Sequence, residues 1–128
     1  MQQPVAVYSV AKHVQSLLYH NKNFLSSSAI VAGWDPYKGP QIYTVALGGT
    51  LVRENIATAG SGSVFMSSYC DLNFKLGMTR KECRDFIVTA VSLAMFRDCS
   101  SGGSIRVLDI SKDSTTREYI AYDKLEIK

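Results

Sequence analysis

Residues 57–68 read ATAGSGSVFMSS, and the fold turns on how the run Gly60-Ser61-Gly62-Ser63 within them is understood. An apolar, extended segment leads into the run. An apolar segment with helical spacing, Ser63 to Phe74, leads out of it. A small-residue turn between a strand and a helix can cradle a phosphate on backbone N–H groups, expose a nucleophile, or let the chain turn tightly. The P-loop needs Gly-Lys-Ser/Thr after the turn, and here Val64-Phe65 follow Ser63. The nucleophile elbow needs G-x-S-x-G, and Ala59-Gly60-Ser61-Gly62-Ser63 does not match it. Pattern alone therefore disfavours both chemical readings, with an anion-binding α+β module kept open as an alternative that phosphate-dependent stabilisation would support.

Working outward, Thr79-Arg80-Lys81-Glu82 has the form of a capping box and opens a long helix to about Arg97. Cys83, Phe86, Ile87, Ala90, Leu93 and Ala94 form its expected buried face, with Cys83 a small core residue. Asp98-Cys99-Ser100-Ser101-Gly102-Gly103 then breaks the helix. An ionised Asp beside two serines in a Gly-rich loop can accept from hydroxyls and backbone donors and hold a nearby amine. It can equally be a helix-ending turn with local side-chain-to-backbone bonds. Residues 104–110 and 116–122 predict a final hairpin through Lys112-Asp113-Ser114.

Toward the N-terminus, residues 4–20 predict an amphipathic helix with Pro4 in its first turn. Val7, Val10, Val14, Leu17 and Leu18 make its stripe. His13 and His20 fall on this helix as surface residues, with no acidic or cysteine partner at ligand spacing. Residues 28–34 and 41–47 predict two strands joined by the breaker-rich turn Asp35-Pro36-Tyr37-Lys38-Gly39-Pro40. Short extended pieces follow at 50–53 and 56–59. Helix, strands, two helices and two strands, with hairpin connections, predict an α+β fold with mostly antiparallel sheets.

The 128 residues favour one domain. Composition is that of an ordinary globular chain, 46% hydrophobic and 20% charged. The net charge of +3 is spread along the chain, which argues against a nucleic-acid surface. Three cysteines (Cys70, Cys83 and Cys99) without a CxxC pair argue against a disulfide framework or zinc site and fit a reducing compartment. The apolar stretch Phe86–Phe96 is far too short to span a membrane. The opening residues lack the pattern of a secretory signal.

Three stretches taken together go further: AGWDPYKGPQIYTVALGGTLV (32–52), AGSGSVFMSSYCDLNFKLGMTRKEC (59–83) and LAMFRDCSSGGSIRVLDI (93–110). In order and spacing they resemble the proteasome beta subunits, members of the N-terminal-nucleophile hydrolases, over essentially the whole chain. GWDPY (33–37) and LGGTLV (47–52) are most similar to the caspase-like catalytic type, which cleaves after acidic residues. The resemblance implies part of a four-layer αββα sandwich, with residues 1–128 a single partial domain lacking the N-terminal strands. It implies a threonine-type endopeptidase component of the 20S core beta ring, acting on unfolded polypeptides without a cofactor or metal. Its partners would be other proteasome alpha and beta subunits, with no nucleic acid or membrane, in the cytoplasm and nucleus.

In this family the nucleophile is an N-terminal threonine whose own α-amine serves as base. Carried over by motif, Ser61, Asp98 and Ser101 are the residues that support that amine. Gly60 and Gly62 would keep the neighbourhood of Ser61 uncrowded. Cys99 stands where the family pattern has glycine, at a helix end where a left-handed residue is favoured. The resemblance begins partway into the family's chain, so the nucleophilic threonine and most of the specificity pocket are expected to be absent. The 128-residue chain is therefore expected to be inactive alone and prone to associate. The alternative is a non-catalytic beta-like structural or assembly protein.

Overall fold

The computed structural model describes residues 3–126. The chain divides into two compact units. One holds residues up to Ala59 together with Ile110–Thr115; the other holds Gly60–Asp109 with residues from Thr116 onward.

In the first unit a helix, α1 (Val7–His20), packs on a three-stranded sheet of β1 (Ala29–Asp35), β2 (Gly39–Val45) and β3 (Leu51–Glu54) in the order β1-β2-β3. Both pairings are antiparallel, with Ala29 opposite Val45 and Asp35 opposite Gly39, and then Val45 opposite Leu51 and Ile42 opposite Glu54. The predicted hairpin is present. Along β2, Gln41, Tyr43 and Val45 are buried while Ile42 and Thr44 between them are not, the period-two alternation of a strand with one face on a core. Val7 and Ala11 of α1 cluster with Tyr43, flanked by Val31 and Leu51.

Three expectations are corrected here. The first helix starts at Val7 rather than at residue 4, and Pro4 lies outside it. Ala6 precedes the helix in extended conformation and has no capping side chain. The N–H of Val7, left without a partner inside the helix, instead donates to Oδ2 of Asp35, 2.9 Å away and 28 residues later. A long-range carboxylate thus does the work of a local N-cap. Secondly, Val10 and Leu17 are 43% and 50% exposed. At 3.6 residues per turn, positions 7, 11 and 18 share one narrow arc, and 10 and 17 fall on its flank. Thirdly, residues 56–59 form no strand. Continuing the β2–β3 register would place Ile56 opposite Pro40, which has no N–H to offer a ladder.

The second unit contains α2 (Ser63–Asn73), α3 (Arg80–Arg97), and all but the Ile110 and Thr115 ends of a two-stranded sheet of β4 (Ser104–Ile110) and β5 (Thr115–Ala121), followed by one turn of 3-10 helix at Tyr122–Lys124. The capping box is formed in both directions: Glu82 N–H donates to Thr79 Oγ1 at 3.2 Å, and Thr79 N–H donates to Glu82 Oε2 at 2.8 Å. The helices pack along a seam in which Cys70, Phe86, Ala90 and Ala94 are buried. Tyr69 stacks on Phe86 with ring centroids 5.6 Å apart, and Phe74 adds a tilted contact at 6.2 Å. Phe86, Ala90 and Ala94 recur at i, i+4, i+8 along α3, whereas Ile87, expected inside, is 41% exposed and Cys83 is only half-buried. Arg84 reaches Glu118 on β5 with two nitrogens, and Arg80 pairs with Asp109 on β4 at 2.8 Å. No helix among the described residues is long and apolar enough to cross a membrane.

Candidate functional site

Two chain turns in the second unit converge on one carboxylate. The first is the glycine-serine run. Gly60 adopts φ +95°, a left-handed value that side-chain-bearing residues rarely take, and its carbonyl accepts from Ser63 N–H at 3.2 Å. This reversal presents Ser61 just before α2 begins, with Gly62 as the cap residue. The second turn is the end of α3. Asp98 closes that helix in extended conformation, its N–H still donating to Ala94 O at 2.8 Å.

The side chains of the three residues singled out by the sequence meet there. The Ser61 hydroxyl donates to Asp98 Oδ2 at 2.7 Å, and the Ser101 hydroxyl donates to the same oxygen at 2.6 Å. The other carboxylate oxygen, Oδ1, accepts from Ser100 N–H at 3.2 Å. Ser101 N–H donates to the Asp98 carbonyl at 3.0 Å, which closes the loop under the cluster. The Ser101 and Ser61 hydroxyls and the Ser100 amide, in that order, hold the Asp98 carboxyl below the usual carboxylate range against a small opposing effect of burial. Ser61 is exposed, and Asp98 and Ser101 are half-buried, so the group faces outward.

The proton arrangement decides what this cluster can do. Each hydroxyl has one hydrogen, and both are committed to Asp98. What remains outward are hydroxyl lone pairs beside an ionised carboxylate, which is an acceptor-only surface. It suits a donor carrying positive charge, such as an ammonium group. It repels an anion, so the phosphate reading of the Gly-Ser run fails on the position of Asp98 Oδ2. It does not suit a serine nucleophile either. No histidine accepts from Ser61, and the carboxylate that does accept is of low basicity. His13 and His20 both lie exposed on α1, where His20 Nδ1 is bonded to Ser16 O at 2.8 Å.

The two glycines flanking Ser61 have different reasons, which the sequence does not separate. A Cβ at Gly60 would meet nothing within 4 Å; that glycine is there for its backbone angle. Gly62 has an ordinary helical conformation (φ −82°, ψ −6°) but stands against the site. The concern raised by Cys99 is also resolved: among the described residues only glycines have positive φ, and the left-handed position of this loop falls on Gly103 at +93°. Ser100, whose amide supports Asp98, was not singled out from the sequence, because a backbone donor leaves no compositional mark.

The model of the family described as "Proteasome subunit" matches residues 1–110. The chain is 44% identical over 119 residues to proteasome subunit beta type-6 of Dictyostelium discoideum, covering 93% of this chain and 56% of that protein. It is 43% identical over 118 residues to a probable proteasome subunit beta type-1 of Schizosaccharomyces pombe, covering 92% and 52%. It is 39% identical over 125 residues to the human proteasome subunit beta type-9, covering 98% and 57%. The chain thus spans little more than half the length of these curated relatives.

Proposed function

Starting from the premise that this chain belongs to the proteasome subunit family, as a beta-type member, we propose that Ser61, Asp98 and Ser101 are the amine-supporting group of a threonine-type endopeptidase site. The observation that carries the reading is the convergence of two hydroxyl donors on the single oxygen Asp98 Oδ2, at 2.7 and 2.6 Å. That convergence leaves an acceptor surface fitted to a threonine's α-amine. An α-amine has a pKa of about 8, so a neutral fraction able to accept a proton is present near neutral pH. Hydroxyl acceptors orient it, and the carboxylate stabilises the ammonium that forms when the amine takes the nucleophile's proton. The threonine itself would come from sequence beyond these 128 residues. Partners in this reading are other proteasome alpha and beta subunits in a hetero-oligomeric ring, within cytoplasm and nucleus. Substrates are unfolded polypeptides, cleaved after acidic residues as the likeness of Gly33–Tyr37 and Leu47–Val52 to the caspase-like type suggests.

The test is peptide hydrolysis after Glu or Asp by the assembled particle carrying this subunit. Asp98→Asn keeps the shape and removes the charge. It is expected to lower kcat by about 10²-fold or more, with particle assembly intact by native gel. A full rate in the Asp98→Asn particle overturns the reading. So does post-acidic cleavage by the purified 128-residue chain alone, which is expected to show none.

A further inference from the structure

The glycine after Ser61 occupies a place with no room for a side chain. A Cβ built on Gly62 would lie 2.9 Å from the Cβ of Ala94, 3.1 Å from Ser101 Oγ and 3.4 Å from Asp98 Oδ2. The first distance is shorter than real Cβ contacts, and the second is tight. The backbone angles at Gly62 are available to any residue, so the glycine is not explained by conformation. What it provides is space. Ala94, on the last turns of α3, is buried and is itself nearly the smallest side chain. Gly62 and Ala94 therefore meet as two small residues where α2 begins and α3 ends, one turn before Asp98.

We propose that Gly62 is a positioning residue of this site: its missing side chain lets the start of α2 come close enough to the end of α3 for Ser61 and Ser101 to share one oxygen of Asp98. The catalytic consequence rests on the reading of the site given above; the geometric one does not. A methyl group at position 62 must push away Ala94, and with it the frame of α3, or displace the Ser101 hydroxyl. Either movement loosens two hydrogen bonds that meet at a single atom. Hydrogen bonds of this kind weaken steeply with misalignment, and a shift near 1 Å at a catalytic group costs about 10²-fold in rate.

The experiment is a carboxyl titration of Asp98 by NMR in the 128-residue chain, in wild type, Gly62→Ala and Gly62→Ala/Ala94→Gly. Glu82 serves as the internal reporter of α3, because the Thr79 amide and hydroxyl hold its carboxyl low. In Gly62→Ala the Asp98 titration is expected to move upward toward the ordinary carboxylate range while Glu82 stays low. In the double variant the tighter contact is relieved and the 3.1 Å contact with Ser101 Oγ remains, so Asp98 is expected to return part of the way. Should Gly62→Ala lose the Glu82 signature, recovery of both signatures in the double variant still supports the proposal. An unmoved Asp98 in Gly62→Ala overturns it, and so does a Glu82 signature lost in Gly62→Ala and not regained in the double variant. In the assembled particle Gly62→Ala is expected to lower kcat by about 10²-fold with KM held. If Asp98 responds to Gly62→Ala but the Asp98→Asn particle keeps its rate, the geometry stands and the proposed function falls.

Discussion

Asp35 and Asp98 are both aspartates that gather several donors at the end of a secondary-structure element, and they are put to opposite uses. Asp35, at the end of β1, is 2% exposed. Its Oδ2 accepts from Val7 N–H at 2.9 Å and Gln41 Nε2 at 2.6 Å; its Oδ1 accepts from Tyr37 and Lys38 N–H at 2.9 and 2.8 Å. These donors are amides, which have no lone pair to present afterwards. The charge is sealed in, and it ties α1 to the β1–β2 turn. Asp98 is half-open, and two of its donors are hydroxyls that can still accept. The same side chain closes a structure when its partners are amides and builds a receptive surface when they are hydroxyls.

Replacing the two aspartates in turn is the strongest test of that contrast. Asp35→Ala takes the partner from three backbone amides, leaves Gln41 Nε2 with the Gly39 carbonyl alone, and uncaps α1. The thermal midpoint is expected to fall by on the order of 10 °C, whereas Asp98→Ala is expected to move it by only about 3 °C. Equal shifts would erase the distinction between a structural carboxylate and a receptive one.

A pH series sharpens it next. Burial alone would raise the Asp35 pKa, but the donors from Val7, Lys38, Gln41 and Tyr37 outweigh it and bring the carboxyl down from 3.8 to about 2. A carboxyl whose folded pKa is depressed contributes stability above its unfolded pKa, and that contribution drains away as pH falls through the folded value. The thermal midpoint is therefore expected to be level above about pH 5 and to decline between about pH 4 and pH 2. In Asp35→Asn that decline should be markedly shallower, read by the same melts across the series.

The smallest effects discriminate by partner. Tyr43 donates its hydroxyl to Gln41 Oε1 at 2.7 Å, inside the core, and so steadies the amide that serves Asp35. Tyr43→Phe strands that oxygen and is expected to cost about 1 kcal/mol in urea unfolding. Ser61→Ala removes a bond of similar length at an exposed position and is expected to stay within about 0.5 kcal/mol. A larger loss at Ser61 than at Tyr43 would mean that the outward cluster is structural after all.

The amino-acid order was sufficient for what depends on neighbours in the chain. The capping box at Thr79–Glu82, the β1–β2 hairpin, the break after Arg97 and the antiparallel α+β class are local patterns of periodicity and turn chemistry. The likeness of three stretches to proteasome beta subunits likewise lies in residue order, and it pointed to Ser61, Asp98 and Ser101 together. Tertiary structure decided what depends on distance across the chain. The start of α1 is marked by a carboxylate 28 residues away, and the exposure of Val10, Leu17 and Ile87 by which arc of each helix is covered. The chemistry of the site belongs to the same class. Three hydroxyl- or carboxyl-bearing residues could have formed a nucleophile, an anion cradle or a plain turn. They form an acceptor surface because two protons converge on one oxygen, and proton direction is a property of positions in space rather than of residue order.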